Sequence, residues 1–546
     1  MGRINKIQQM AGDKTNTYEG GVAYHLSFKE RLAEFFSLGL LNGNFYQSEE
    51  QVLKNAKDLF ERALGECPEF ATKAAIYGNH VNSLKLVPTI WLVYLSTLDD
   101  KHLFKTAFPR IIRNPKMLHD FMEIARKGGI RQGLGRNTKK VMNEWLINHL
   151  NEYQVSRNKG KLENIIKVTR PYSQDETFQN YMKYISKGEL TFPRAAALKE
   201  VINFMEKGEL NETTFVLIEN NRLQLEELKH ATQNLTKEDK GKLYEVMYKG
   251  LNYTALMLNL VALERVYATR THVEVKCIHK DGQFQQLKQT IVDETDIPPY
   301  VLDMIAARIR DVELYRKSNM LPFALLNAEK MVTTPEFKRA IGDMLRNVAH
   351  DVFKIDESID LLVGVDTSAS MSGCMVTDTG SLSAMDIASI FGAMIKKSHA
   401  KTNVHAVASR IQQVNLAKQD DVFDMARQIE QAQVGYGTYF EQLMQVYHGE
   451  KYVILLTDNN AADQLEKRWL EAKKPAGAKL IVWQLVPYGI KISKNPSIVQ
   501  IAGYSDRILG LVKNIIEGKS GQVEEVEKMN IFTNEQAKAE MVKPAA

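Results

Sequence analysis

Three oxygen-bearing side chains, Asp366, Ser368 and Ser370, stand at alternate positions in the stretch VGVDTSASMSG. They follow the apolar run SIDLLVGV, which reads as a buried strand. A plain strand-to-helix turn needs one capping group, whereas three oxygens spaced by two on a turning loop can aim at one point. A second apolar run, KYVILLTD, closes on Asp458, and Thr438 stands in the loop GYGTYFEQ. In open α/β sheets, ligands bind beyond the carboxyl ends of the strands. Asp366, Ser368, Ser370, Thr438 and Asp458 are therefore the expected ligands of a divalent metal. An all-oxygen set without Cys or His suits Mg²⁺ first, with Ca²⁺ or Mn²⁺ as alternatives, rather than zinc. Two carboxylates and three hydroxyls would leave a coordination position open to an outside carboxylate or phosphate. The competing reading is a capped turn that holds no metal.

A second chemistry-bearing stretch is cationic. The chain carries a net charge of only +5, yet Lys101–Arg170 holds 16 Lys and Arg against 5 Asp and Glu, a local excess of +11. Such an imbalance on a near-neutral protein points to a polyanion. KGGIRQGLGRNTKKVMNEWLINHL puts Arg131, Arg136, Lys139 and Lys140 at the head of a helix. Val141, Trp145 and Leu146 lie on its apolar face, so Trp145 reads as core. YQVSRNKGKLENIIKVTRP adds Arg157, Lys159, Lys161, Lys167 and Arg170 around a loop. Guanidinium forks and ammonium groups at helix starts match phosphate oxygens. Arg131, Arg136, Lys139, Lys140, Arg157, Lys159, Lys161 and Arg170 are the expected RNA-binding residues, on one continuous face. Tyr153, Tyr172 and His149 are candidates to stack on bases.

No catalytic set is apparent. GKS at Gly518–Ser520 has Lys513 where the first P-loop glycine would stand. HExxH and GxSxG are absent. The expectation is a binding protein rather than an enzyme.

The elements that must position these residues fall into two regimes. Over the first 350 residues amphipathic helices follow one another. SFKERLAEFF offers Ser27 and Glu30 as a capping box, and QSEEQVLKNAKDLFERALGE offers Ser48 and Gln51 at the same spacing. The second of these has Val52, Leu53, Ala56, Leu59, Phe60, Ala63 and Leu64 on one face. LTFPRAAALKEVINFM and TTPEFKRAIGDMLRNV start at Pro193 and Pro335. Short connections between such helices suggest a stacked helical solenoid. THVEVKCIHKDGQFQQLKQTIV (Thr271–Val292) alternates around Asp281-Gly282 and reads as an inserted β-hairpin. From about Ser358, apolar runs alternate with helical ones, predicting a mostly parallel, doubly wound sheet. The expected domains are a polar segment 1–20, a helical-repeat domain 21–355, an α/β domain 356–525 and a tail 526–546.

Three scattered cysteines fit a reducing compartment. The N-terminus lacks an apolar signal region, and VPTIWLVYLSTL is too short to span a bilayer, so it reads as a buried helix. The expectation is a cytoplasmic protein with no membrane partner.

The Asp-x-Ser-x-Ser pattern, with Thr438 and the strand-ending Thr457-Asp458, resembles the metal-ion-dependent adhesion site of von Willebrand factor A domains. Metal in such domains usually acts as a binding clamp rather than a hydrolytic centre. A basic helical solenoid followed by such a domain resembles the Ro ribonucleoprotein autoantigen family (TROVE domain proteins), in a bacterial or phage form. The segments GLGRNTKKVMNEWL, LNYTALMLNLVAL, SNMLPFALLNA and AGYSDRILGLV are similar to elements of that family, the last to the closing strand of its A domain. The resemblance implies a ring of HEAT-like helical repeats closed by the A domain. It implies binding of Y RNA-like and misfolded small noncoding RNAs, on the basic surface and through the ring opening, in RNA quality control. It also implies an exoribonuclease such as polynucleotide phosphorylase as a partner, and a monomeric protein. The sequence departs from the family at Tyr439, where the family has Asp after Thr, and at Arg170, near which the family has His. A metal-dependent scaffold that grips acidic residues of a partner protein is the alternative reading.

Overall fold

A computed structural model describes residues 14–531, apart from 19, 42–46, 229, 281–282, 319, 321, 377–381, 417–420, 433, 461–464, 506 and 520. The tip of the expected hairpin and most of both terminal segments lie outside the described residues. In chain order the strands are β1 (Lys14–Asn16), β2 (Val22–His25), β3 (Ala268–Lys280), β4 (Gln283–Thr295), β5 (Leu361–Asp366), β6 (Thr402–Val407), β7 (Ile411–Gln413), β8 (Tyr452–Thr457), β9 (Lys479–Gln484), β10 (Ile490–Lys491) and β11 (Ile498–Ala502). The rest is mainly helix. Among the described residues, no helix is long and apolar enough to cross a membrane.

The chain forms two compact units. Among the described residues, one combines 14–111, 322–327 and 345–531; the other combines 112–320 and 328–344.

In the first unit β5, β6, β8, β9 and β11 run parallel, in the order β11-β9-β8-β5-β6-β7, with β7 antiparallel at the edge. β5 and β8 are buried along their whole length, as continuous apolar runs in a sheet covered on both faces require. The chain leaves β5 toward β6 and later returns on the opposite side as β8. The order therefore reverses between β5 and β8, which is where open α/β sheets place their ligands. The expected helices follow their strands at Ala384–Ser398, Val422–Gln431, Leu465–Glu471 and Arg507–Ile516.

The N-terminal helices of this unit form as their caps dictate. Ser27 and Glu30 complete the capping box at the start of Phe28–Leu38. Ser48 accepts from the Gln51 amide, but the Gln51 side chain turns instead to Asn55 (3.0 Å). On the helix Glu49–Glu66 the expected face is buried except at Leu64, which is half-buried, and at Leu53, which is 46% exposed. VPTIWLVYLSTL is a helix, Leu86–Leu95, with Trp91 fully buried. An element absent from the sequence-based expectation joins this unit: β1 pairs with β2, and β2 pairs with β10, all antiparallel.

Glu34, on the inner face of Phe28–Leu38, is buried beside this small sheet, and the Gly489 amide donates to its Oε2 (3.2 Å). Burial pushes its carboxyl up to about 8, although the charge of Arg31 pulls the other way.

The second unit is a serial stack of helices from Pro115–Lys127 to Val312–Ser318, interrupted by the β3–β4 hairpin. Short polar caps start its helices: Asn114, Asn151, Asp175, Asn211, Thr236 and Asn252 each accept the backbone N–H three residues on. A buried ion pair ties several turns together. The Arg194 guanidinium meets Glu227 at 2.5 Å and donates to the Asn221 carbonyl (2.6 Å).

Candidate metal centre and nucleic-acid interface

Asp366 ends β5 and is fully buried. Its Oδ1 accepts the Ser368 amide (2.9 Å) and its Oδ2 accepts the Thr457 hydroxyl (2.8 Å). Ser368 and Ser370, both buried, bring their hydroxyls to 3.1 Å of each other. The alternate spacing thus turns two hydroxyls the same way. Asp458 follows β8, the strand beside β5, and its Oδ1 accepts the Asn460 amide (3.1 Å). The Asp458 charge also reaches Cys374: burial first, and that carboxylate second, push the thiol up to about 12.

Thr438 arrives from a third direction. Its loop is fastened by the Ala369 amide to the Tyr436 carbonyl (3.2 Å), and by the Tyr439 amide to the Ala408 carbonyl (3.2 Å). Gly435 (φ +117°) lies so close to Ser409 that a Cβ there would sit 2.5 Å from the serine Cβ. Thr438 is fully buried, and its hydroxyl has no hydrogen-bond partner among the described residues. A buried hydroxyl left without a partner is costly, and a hard cation is the kind of group that would satisfy it. All five expected ligands lie at the carboxyl edge of one sheet, and they form an oxygen-only donor set that suits Mg²⁺.

Behind this edge a hydrogen-bonded chain runs toward the N-terminal part of the unit. The Asn459 amide donates to Thr457 Oγ1 (2.9 Å), its Nδ2 donates to Gln500 Oε1 (3.2 Å), and Gln500 donates to Gln484 (2.6 Å). Asn459 takes a left-handed φ of 65°, which Asn tolerates. The Tyr18 amide donates to Asn460 Oδ1 (2.8 Å). Asn459, Asn460 and Gln500 were not legible as site residues; only Asn459-Asn460 directly after the predicted strand end could have hinted at them.

The cationic residues lie in the second unit. Arg136, Lys139 and Lys140 occupy the first turns of the helix Gly135–His149, with Arg136 and Lys140 exposed and Lys139 half-buried. No side chain caps that helix start, so its free N–H groups add to the positive end. Asn143, one turn on, donates to the Thr169 carbonyl (3.1 Å) and joins this helix to the end of Lys159–Thr169. Arg170, exposed and left-handed at φ 52°, is thereby delivered beside the same face. Tyr172, 77% exposed, follows it.

The eight expected residues do not gather at one point. Lys159 and Lys161 begin the helix that Arg170 ends, and its eleven residues separate the two groups by about 16 Å. Lys159 sits 4.8 Å from the centre of the Tyr184 ring, and Lys161 is exposed. Arg157 hydrogen-bonds to the Tyr153 hydroxyl. Arg131 is committed to its own loop, donating to the Gly133 carbonyl (2.6 Å), the Leu134 carbonyl and the Thr138 hydroxyl (2.9 Å). Of the three expected stacking rings, only Tyr172 is exposed. Tyr153 is covered by the guanidinium groups of Arg157 and Arg194. His149 stacks on Trp145 at 5.3 Å, and burial lowers its pKa. Trp145 is core, donating to the Ile112 carbonyl (2.8 Å).

No protein-family model matches the sequence, and no curated protein matches it. Among solved structures, the crystal structure of the Ro (RSR) protein of Deinococcus radiodurans is similar, at 16% identity and a TM-score of 0.59. The match covers 90% of this chain and 100% of that one. The segment AGYSDRILGLV, expected as the closing strand, instead carries the end of β11 into the helix Arg507–Ile516. Serial helices followed by a mainly parallel α/β sheet, matched over nearly the whole length, give this chain the fold of a Ro protein.

Proposed function

We propose that this chain is a Ro-type RNA-binding protein. It binds structured or misfolded small noncoding RNAs, of the Y RNA kind, and serves their quality control without itself catalysing a reaction. One observation carries the reading: Arg136, Lys139 and Lys140 occupy the first turns of an uncapped helix, and the Asn143–Thr169 hydrogen bond brings Arg170 and the exposed Tyr172 alongside that helix. Cations at a helix N-terminus with an adjoining ring engage phosphate and base without reading sequence. An exoribonuclease is the class of enzyme that would consume RNAs held in this way. In the A-type domain, Asp366, Ser368, Ser370, Thr438 and Asp458 hold Mg²⁺ as a clamp whose open position takes an anionic group. The unpartnered Thr438 hydroxyl supports that assignment.

The test is purification of the full chain without nuclease treatment. RNA is expected to accompany it and to dissociate as salt rises. With four phosphate contacts to single-stranded RNA, the slope of log K against log salt should change by about 3 in the Arg136→Gln, Lys139→Gln, Lys140→Gln, Arg170→Gln variant. An unchanged slope would assign RNA binding to another surface.

A further inference from the structure

The loop that carries Thr438 presents two large rings to solvent. Tyr436 is 79% exposed and Tyr439 is 42% exposed, on either side of the fully buried Thr438. Neither ring is loosely placed, because the backbone beneath them is tied on three sides. The Tyr436 carbonyl accepts from Ala369, between Ser368 and Ser370, and the Tyr439 amide donates to Ala408. The Gly437 amide donates to the Ser409 hydroxyl (2.9 Å). The same contacts bring in a cation. The Arg410 amide donates to the Val434 carbonyl (3.0 Å), and the Arg410 side chain is exposed, with no ion-pair partner among the described residues.

Two exposed rings therefore flank Thr438, one member of the oxygen set, and the backbone of an exposed arginine is tied to the same loop. A carboxylate from an acidic peptide would satisfy a metal and Arg410 but leave both rings in water. A short stretch of single-stranded nucleic acid satisfies all of them: its phosphates are anionic hard-oxygen ligands, and every base has a π face for a tyrosine. We propose that Tyr436, Tyr439 and Arg410 form a platform for single-stranded RNA. The bases stack on the two rings, while a backbone phosphate lies between Arg410 and the metal held by Asp366, Ser368, Ser370, Thr438 and Asp458. The metal half of this proposal rests on the reading in the preceding subsection; the tyrosine half does not.

The test titrates the full chain with a short oligouridylate carrying one 2-aminopurine, whose fluorescence falls when the base stacks. The background is the four-cation variant named above, so that binding at the helical unit is suppressed. In Mg²⁺, quenching is expected, with affinity falling about tenfold for each ring removed by Tyr436→Ala and Tyr439→Ala. Tyr→Phe at both positions should preserve it. Arg410→Gln should weaken binding without abolishing the quench. Quenching that survives the double alanine variant would overturn the proposal. So would Mg²⁺-dependent capture of a polyaspartate peptide in preference to the oligouridylate. Quenching that needs both rings but persists in EDTA would keep the platform and remove the metal from the site.

Discussion

Replacing Glu34 by Gln should make the protein more stable at neutral and alkaline pH. The carboxyl ionises near 4.5 in an unfolded chain and near 8 in the fold, because burial disfavours the charged form more than Arg31 favours it. Between those pH values the folded state holds a proton that the unfolded state has released. Stability from this group is therefore complete below about pH 4.5 and is lost as pH rises to about 8. At about 1.4 kcal/mol per decade of proton affinity, the total is on the order of 5 kcal/mol, most of it already lost at pH 7. Gln keeps an oxygen for the Gly489 amide, now 3.2 Å from Glu34, and carries no charge. The assay is urea unfolding of wild type and Glu34→Gln at pH 5, 6, 7 and 8, reading the transition of the unit that contains Glu34. The gap between the two proteins should widen in favour of Gln by roughly 1 kcal/mol per pH unit. Parallel pH profiles would show that Glu34 is ionised in the fold, and the account of its burial would be wrong.

Arg194→Ala should cost about 3–5 kcal/mol, because it strands the buried Glu227 carboxylate, while the double change Arg194→Met, Glu227→Met should recover most of that; chemical denaturation of the three proteins decides it. Mg²⁺ at a hundred times its dissociation constant should stabilise wild type by about 2.7 kcal/mol and leave Asp366→Ala unmoved, as read by thermal melts in Mg²⁺ and in EDTA. Gly78→Ala places a Cβ 1.9 Å from the Phe36 carbonyl oxygen, so the helices Phe28–Leu38 and Pro68–Val81 must separate. A loss of about 3 kcal/mol is expected, and a fully stable variant would mean that the two helices shift freely.

The parts of the site that were legible in the sequence share one property: local spacing alone determines them. Asp366, Ser368 and Ser370 alternate on a turn after an apolar run, and Asp458 ends another such run, so strand ends and side-chain direction follow from neighbouring residues. The capping box at Ser27 and the helix start at Pro193 are local in the same sense. What was not legible depends on side-chain conformation or on partners distant in the chain. Arg131 and Arg157 look like free cations until Thr138 and Tyr153 are brought against them. Lys159 and Arg170 look adjacent in a basic run until a straight helix holds them at its two ends. β1 is three polar-flanked residues, Lys14–Asn16, whose strand conformation comes only from pairing with β2, which in turn lies against β10. β11 reads IVQIA, a short mixed run that gains its strand identity from β9 beside it.

The pairing of β2 with β10 also bears on how the protein is made. Tyr18 and Asn460 are 442 residues apart in the chain. At 5–20 residues per second, about 20–90 s separate their emergence from a ribosome. Throughout that interval the edge of β2 and the Glu34 carboxyl stay without β10 and Gly489, which later cover them, although Phe35 and Phe36 already have Phe60 and Trp91. An unpaired strand edge invites pairing with another nascent chain. Slowing translation after residue 111 should therefore increase the demand for chaperones, whereas slowing it after Lys491 should not.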